Sequence, residues 1–126
     1  DESFGESITL LVLRNPSLDL PHFTVKPRNI VTRTLSVDAP SPIEIDHHLG
    51  KRYDVTGDDE PRIRELFHDE LQLALLESRP LVIEGRGANL LFYRQGTSLS
   101  ASGARRLIEE SVVLADLMET RTEAES

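Results

Sequence analysis

Two adjacent histidines, His47 and His48, lie among acidic residues and form the one cluster in the chain whose residue types suit a divalent metal ion. Imidazole nitrogens and carboxylate oxygens are common protein ligands of zinc and similar metals. The acids nearest to the histidines are Glu44, Asp46 and Asp54. Neighbouring side chains on extended backbone point in different directions, so adjacent histidines rarely reach one ion. The pattern therefore favours an exposed polar loop before a strand over a metal site.

A second group of acids, Asp58, Asp59 and Glu60, follows Gly57 and precedes a helical pattern. Together with Asp54, these carboxylates are of the type used in calcium binding or acid–base catalysis. Their spacing differs from that of an EF-hand, which places acids at alternate positions around a central glycine and ends with a glutamate. A carboxylate just ahead of a helix accepts a backbone N–H bond and stabilises the helix by about 1 kcal/mol. We therefore predict that Asp58 or Asp59 caps a helix and that neither holds a metal.

Two glycine-containing segments resemble known active-site motifs only in part. The segment 85–87, Gly-Arg-Gly, starts like a dinucleotide-binding loop, but Leu90 occupies the position of the third glycine and a strand pattern follows in place of a helix. We therefore predict a hairpin turn at 85–88. The serine-rich segment 96–103 has no nucleophile elbow and no histidine–acid partner, so we predict that Ser100 caps a helix. The sequence thus predicts no catalytic residue and no cofactor.

The composition excludes several classes of partner. Fourteen basic and 22 acidic residues give a net charge of −8, and this acidic field opposes binding to nucleic acid and to anionic lipid. No apolar run approaches the roughly 20 residues of a membrane-spanning helix, so we expect a soluble chain that does not insert into a membrane. The chain has no cysteine and no initiator methionine, and we expect it to be a piece of a longer protein.

The candidate residues are positioned by elements that the hydropathy patterns predict. Alternating apolar residues indicate strands, and apolar residues three or four positions apart indicate helices. A helix beginning at Asp58 or Asp59 is expected to split where His68, Asp69 and Glu70 provide a second cap. The segment 30–35 fits a strand or a helix equally well. The predicted strands are 7–14, 23–27, 53–56, 81–84 and 89–94, and the last helix follows Ser100.

This order of elements predicts an α+β fold. We expect a mainly antiparallel sheet of about five strands with two main helices packed on one face, and one strand-helix-strand crossing that could place a parallel pair in the sheet. Residues 1–118 should form a single domain, and residues 119–126 a polar, disordered tail. The predicted core residues are Ile8, Leu10, Val12, Leu66, Phe67, Ile83, Leu91, Leu107, Leu114 and Met118.

Five segments resemble, in the same order, a family of poorly characterised bacterial proteins. In that family a soluble domain follows one or two membrane helices, and it carries an L-P-x-F-x-L-x-P segment, an F-x-x-x-Y-x-L-x-G-x-D-E segment and a terminal hairpin plus helix. The chain differs at Leu49, where the family has an aromatic residue, and at Arg28, where it has an acid. The resemblance implies a parent anchored to the bacterial cytoplasmic membrane and no established activity. The segments are 20–27, 51–59, 64–67, 83–85 and 90–94.

Helix caps, turns and the apolar residues of the predicted core thus account for nearly all of the residues considered above. The leading hypothesis is an acidic, non-enzymatic module that binds an unknown protein or small molecule. The alternative is a small metal-dependent hydrolase built around His47, His48, Asp54 and Asp58. A cleft that gathers these four side chains would favour the enzyme, and their dispersal would favour the module.

Overall fold

A computed structural model describes residues 10–28, 42–94 and 100–125, with the side chains of 120–125 left out of the description. The predicted core residue Ile8 and the ambiguous segment 30–35 lie outside the described residues, as do residues 96–99 of the serine-rich segment. The elements are β1 (Leu10–Arg14), β2 (Leu20–Pro27), α1 (His47–Arg52), β3 (Tyr53–Gly57), α2 (Glu60–Leu66), α3 (Asp69–Glu77), β4 (Val82–Gly87), β5 (Asn89–Tyr93) and α4 (Ala101–Glu125).

The five strands form one sheet in the order β1-β5-β4-β2-β3, and every neighbouring pair is antiparallel. The fold is therefore α+β, as the sequence predicts. Among the described strands, the parallel pair that the strand-helix-strand crossing suggested does not form. The crossing from β3 leads to β4, but β2 lies between these two strands, so they never become neighbours.

The register of the strands sorts their side chains into a covered face and an open face. On the covered face, buried residues follow one another across the sheet from β3 to β5, the partly buried residues of β1 continue the row, and the helices pack over them. One such row contains Val55, Val25, Ile83, Phe92 and Leu11.

The helices supply the other half of the core. Residues of α2, α3 and α4 form apolar stripes at helical spacing that meet the covered face in one cluster. Leu66, Phe67, Ile83, Leu107, Leu114 and Met118 are buried as predicted.

The core prediction was wrong for two residues of the edge strand β1 and one residue of its neighbour β5. Leu10 and Val12 are 54% and 63% exposed, and Leu91 is only half-buried. The side chains that face the helices are instead Leu11 and Leu13, together with their neighbours on β5. The apolar residues of β1 occupy both faces, so their alternation alone could not tell which set faces inward.

Local capping determines where the helices begin. Asp59 caps α2 and accepts a bond from Arg62 N (3.3 Å), and Ser100 Oγ accepts a bond from Gly103 N (3.1 Å). The predicted split of the first long helix occurs at His68, whose side chain caps α3. These positions agree with the predictions. At the other end of the chain, α4 continues past Met118 to Glu125, across the segment that the sequence assigns to a tail.

The predicted hairpin turn is the two-residue loop Gly87-Ala88 between β4 and β5. Gly87 has φ +61°, a conformation that glycine adopts without strain and that fits the first position of a type II′ turn. The turn thus starts two residues later than the predicted segment, and Gly85 belongs to β4.

Candidate functional site

The two histidines of the predicted metal cluster lie on a short helix. Asp46 caps α1 by accepting a bond from His48 N (2.9 Å), and Leu49 anchors the helix in the core. The prediction of a polar loop here was wrong, because the cap and the burial of Leu49 stabilise one and a half helical turns. Both imidazole rings are exposed, with their centroids 5.8 Å apart.

The acidic members of the predicted site lie at opposite ends of β3. Asp54 forms an ion pair with Arg28 (3.5 Å), whereas Asp58 lies 3.8 Å from His22 at the far end of the strand. Four residues of extended backbone separate these carboxylates by roughly 13 Å. The structure therefore separates Asp58 from Asp54 and does not gather the four residues of the proposed hydrolase at one place.

One cleft of about 360 Å³ does lie beside His47 and Asp54. Its lining also includes Arg28, Glu44 and Lys51, so both cationic and anionic side chains contribute to it. Within residues 10–28, 42–94 and 100–125, no three histidine, cysteine or acidic side chains converge as a metal site requires. Among the described residues that line the cleft, no hydrogen bond or ion pair joins His47 to a carboxylate, so this part of the chain shows no paired acid and base.

Exposed apolar residues identify a different surface. In the described part of the chain, six large apolar side chains are substantially exposed. Two of them lie on β1 and two on the adjoining flank of α4, so the exposure is concentrated at one edge of the sheet. We call these four residues and the outer main chain of β1 the edge surface. They are Leu10, Val12, Ile108 and Val112, which are 54%, 63%, 48% and 42% exposed.

The main chain of β1 presents hydrogen-bonding groups at this edge. Asn15 N donates to Ala88 O (2.8 Å), so the N–H of residue 15 points towards β5. Main-chain groups alternate sides along an antiparallel strand, so residues 11 and 13 also pair with β5 and residues 10, 12 and 14 point outward. Among the described residues, β1 has a neighbouring strand on the β5 side alone.

The flank of α4 that carries Ile108 and Val112 overlies the same edge. The opposite flank of α4 faces α3, where Val113 and Glu110 line a groove with Ala74. Since α4 also contacts β1 and β5, its other flank faces the β1 side of the sheet. An added strand at β1 would therefore have apolar side chains on both of its faces.

The open face of the sheet becomes apolar towards β1. One row across this face starts at Thr56 and Thr24, continues through Glu84, and ends at Leu91 and Val12. The polar end of the row lies near β3 and the apolar end near β1. The edge surface is thus continuous with an apolar area on the open face.

The opposite edge of the sheet is covered by the chain itself. Ile43 N donates to Val55 O of β3 (2.6 Å), on the side of this strand that faces away from β2. The ion pair between Arg28 and Asp54 adds charge there. Protein sheets commonly protect their edges by such means, and in the described residues β1 shows none of them before Arg14.

A groove of about 280 Å³ between α3 and α4 contains Val113, one of the two exposed large apolar residues outside the edge surface. Its floor is apolar, and Glu77, Glu109 and Glu110 lie around it. Glu110 already forms an ion pair with Arg94, which also donates to Pro80 O (3.2 Å). Val113, 53% exposed, lies at this groove and not at the edge surface, so it provides a matched control residue.

The edge surface was not predicted from the sequence, although the sequence contains a signal for it. Arg14 is the only charged residue of β1 and is exposed, so residues 10 and 12, which share its side of the strand, should be exposed as well. Counting back from Arg14 in steps of two residues would have placed Leu10 and Val12 on the exposed face of β1, as observed.

Comparisons of the chain with protein-family models, with curated proteins and with solved structures find no match. No helix in the described ranges is both long and apolar enough to cross a membrane. A functional inference therefore depends on the surface geometry of the domain.

Proposed function

We propose that this domain is a non-enzymatic interaction module that binds an extended apolar protein segment as a sixth strand along β1. The observation that carries the proposal is the edge surface: outward main-chain donors and acceptors at residues 10, 12 and 14, with exposed apolar side chains on both sides of the sheet. In binding by strand addition, main-chain bonds supply affinity and alternate side chains supply specificity. The resemblance to membrane-anchored bacterial proteins supports a parent in which this domain is held near the membrane.

Burial of the apolar side chains supplies the main driving force. Apolar surface removed from water contributes about 25 cal/mol per Å², whereas each main-chain hydrogen bond contributes only about 0.5–1.5 kcal/mol net. A segment with alternating apolar side chains would cover Leu10 and Val12 on the open face and Ile108 and Val112 on the helix face. The hydrolase has no comparable support, because its four residues are not gathered at one place.

The proposal is tested by amide hydrogen exchange at single residues. The probe is a synthetic peptide with the sequence Leu10–Arg14, extended with lysines for solubility. Strand addition should slow exchange at the outward amides of Leu10, Val12 and Arg14. The amides of Leu11 and Leu13 already pair with β5 and serve as the internal reference.

A peptide methylated on its main-chain nitrogens is the matched control, because it keeps the apolar side chains and loses the donors. It should protect the outward amides much less. Protection that appears without peptide as the protein concentration rises would also support strand addition. Fast exchange at the outward amides under all of these conditions, or equal protection by both peptides, would contradict the proposal.

A further inference from the structure

We infer that the segment that occupies the edge surface is β1 of a second copy of this chain, so that two copies join their sheets into one. This inference rests on the proposed function and identifies its partner. The two β1 strands would run antiparallel about a two-fold axis at Val12. Such an interface uses the same surface on both copies, which is the commonest arrangement in oligomers.

The outward main-chain groups of β1 are complementary to themselves in this register. Val12 lies opposite Val12 of the second copy, and Leu10 lies opposite Arg14. All three outward-facing residues of each strand then form hydrogen-bonded pairs, about six bonds in total. The sequence of β1 is apolar on both faces, which is what the edge surface requires of an added strand.

The side chains are also compatible across the axis. On the open face Val12 meets Val12, and the aliphatic part of Arg14 covers Leu10. On the helix face Leu11 meets Leu13. Arg14 is the only charged residue in β1, and in this register it lies opposite an apolar residue, so no like charges meet between the strands.

The spacing of the helices supports a second copy over an isolated strand. Because α4 contacts both β1 and β5, its axis lies over that pair of strands. Strands are about 4.8 Å apart, so the two-fold axis would place the two α4 helices roughly 10 Å apart. This distance is at the upper end of the 8–10 Å usual for packed helices. A single added strand would leave Ile108 and Val112 without a helix to pack against.

The charges on α4 fit the same arrangement. With the helices antiparallel and Ile108 facing Val112 of the second copy, Arg105 lies beside Asp116, which carries the opposite charge. All four side chains are exposed in one copy. The net charge of −8 on each copy opposes association at long range, but the Debye length at physiological salt is about 8 Å, so most of that repulsion is screened.

Sedimentation equilibrium of the chain over a protein concentration range of about 1–500 μM tests the inference. We expect the mass to double with concentration. Val12→Pro removes an outward N–H and leaves the bonds to β5 intact, and Ile108→Lys places a charge in the helix contact. Each should weaken the dimer at least about tenfold. Val113→Lys, at an equally exposed valine on the α3 side, should leave the dimer unchanged.

Melting curves confirm that each variant folds, and Ile108→Lys keeps the test valid if Val12→Pro alters β1. The inference is overturned if the chain has the mass of a monomer at every concentration. It is also overturned if both the Val12→Pro and the Ile108→Lys variants still form the dimer. If the chain is monomeric but the β1 peptide protects the outward amides, only the identification of the partner as a second copy is wrong. The proposed function as an interaction module then stands. If neither association occurs, both proposals fail.

Discussion

Phe67 meets Phe23 edge to face, with ring centroids 5.5 Å apart and planes at 90°. The contact joins the end of α2 to the centre of the sheet, and each ring is 1% exposed. Edge-to-face aromatic pairs contribute about 0.5–1.5 kcal/mol beyond the burial of their surface. This pair therefore connects the helical layer to β2 at the middle of the core.

Replacement of Phe67 by alanine should lower the free energy of unfolding by about 3–5 kcal/mol, because it removes a fully buried ring and leaves a cavity against Phe23. Urea denaturation followed by circular dichroism measures the change. Leu73→Ala, at a residue of α3 that is 57% exposed, is the control and should cost little. Equal stability of the Phe67 variant and the wild type would show that the aromatic contact is not part of the core.

The sequence predicted the helix starts because capping is local. Asp59, His68 and Ser100 each act within three residues of the backbone group they bind, so short-range chemistry was enough. The α1 helix was missed for the opposite reason. It has six residues and contains Gly50, and its stability depends on the burial of Leu49 by distant parts of the chain.

The edge surface depends on the orientation of β1 and the position of α4, and the sequence pattern specifies both only weakly. The orientation of β1 is determined by its pairing with β5, and four consecutive apolar residues hide the two-residue period. The position of α4 over β1 is a tertiary relationship between distant segments. Sequence patterns could therefore predict the α+β class, but the edge surface required the strand order and register.

Gly85 should not tolerate a side chain. It pairs across the sheet with Phe23, and an added Cβ would collide with the Phe23 ring, which is held in place by Phe67. Gly85→Ala should therefore cost about 1–3 kcal/mol through overpacking. Denaturation in urea gives the difference directly.

The control for this change is Gly50→Ala. An added Cβ at Gly50 meets nothing within 4 Å, and the residue lies inside α1, so alanine should stabilise the chain by up to about 1 kcal/mol. The same Gly→Ala substitution is expected to lower the stability at residue 85 and to raise it at residue 50. The pair therefore distinguishes the effect of packing from that of helix propensity. A neutral Gly85→Ala would mean that the Phe23 ring can move aside.

Asp58 and Asp59 should differ in their contributions to stability. Asp59 caps α2, so Asp59→Ala should cost about 1 kcal/mol, whereas Asp58 is 82% exposed and its ion pair with His22 should contribute little. Thermal melts of the two single variants measure the difference.

Calorimetry with calcium, magnesium, manganese and zinc tests whether the same acids bind a metal. We expect no binding that depends on either carboxylate, since the cap already accounts for Asp59 and Asp58 lies at the surface. Stoichiometric binding to the wild type that disappears when both are replaced by alanine would contradict the capping role and revive the metal-dependent hydrolase.

Tyr53 should make the fold sensitive to alkali. Burial raises the pKa of its hydroxyl above the usual 10.0, and the nearby backbone of Leu81 and the positive charge of Arg52 offset part of this rise. The hydroxyl makes no well-formed hydrogen bond with the described residues. Above pH 10 the unfolded chain loses this proton while the folded chain keeps it, so the contribution of Tyr53 to stability is complete below pH 10 and falls as the pH rises through the folded-state pKa.

Tyr53→Phe should therefore be at least as stable as the wild type at pH 7, because it removes a buried polar group that makes no well-formed hydrogen bond with the described residues. It should also lose less stability between pH 9 and about pH 11. Urea denaturation across this range measures both effects. Tyr93→Phe is the control: burial and the Glu84 carboxylate raise the pKa of Tyr93, but its side chain is only half-buried, so the change in slope should be smaller. A larger effect from Tyr93, or a Tyr53 variant with the wild-type pH dependence, would show that the Tyr53 hydroxyl reaches water in the folded chain.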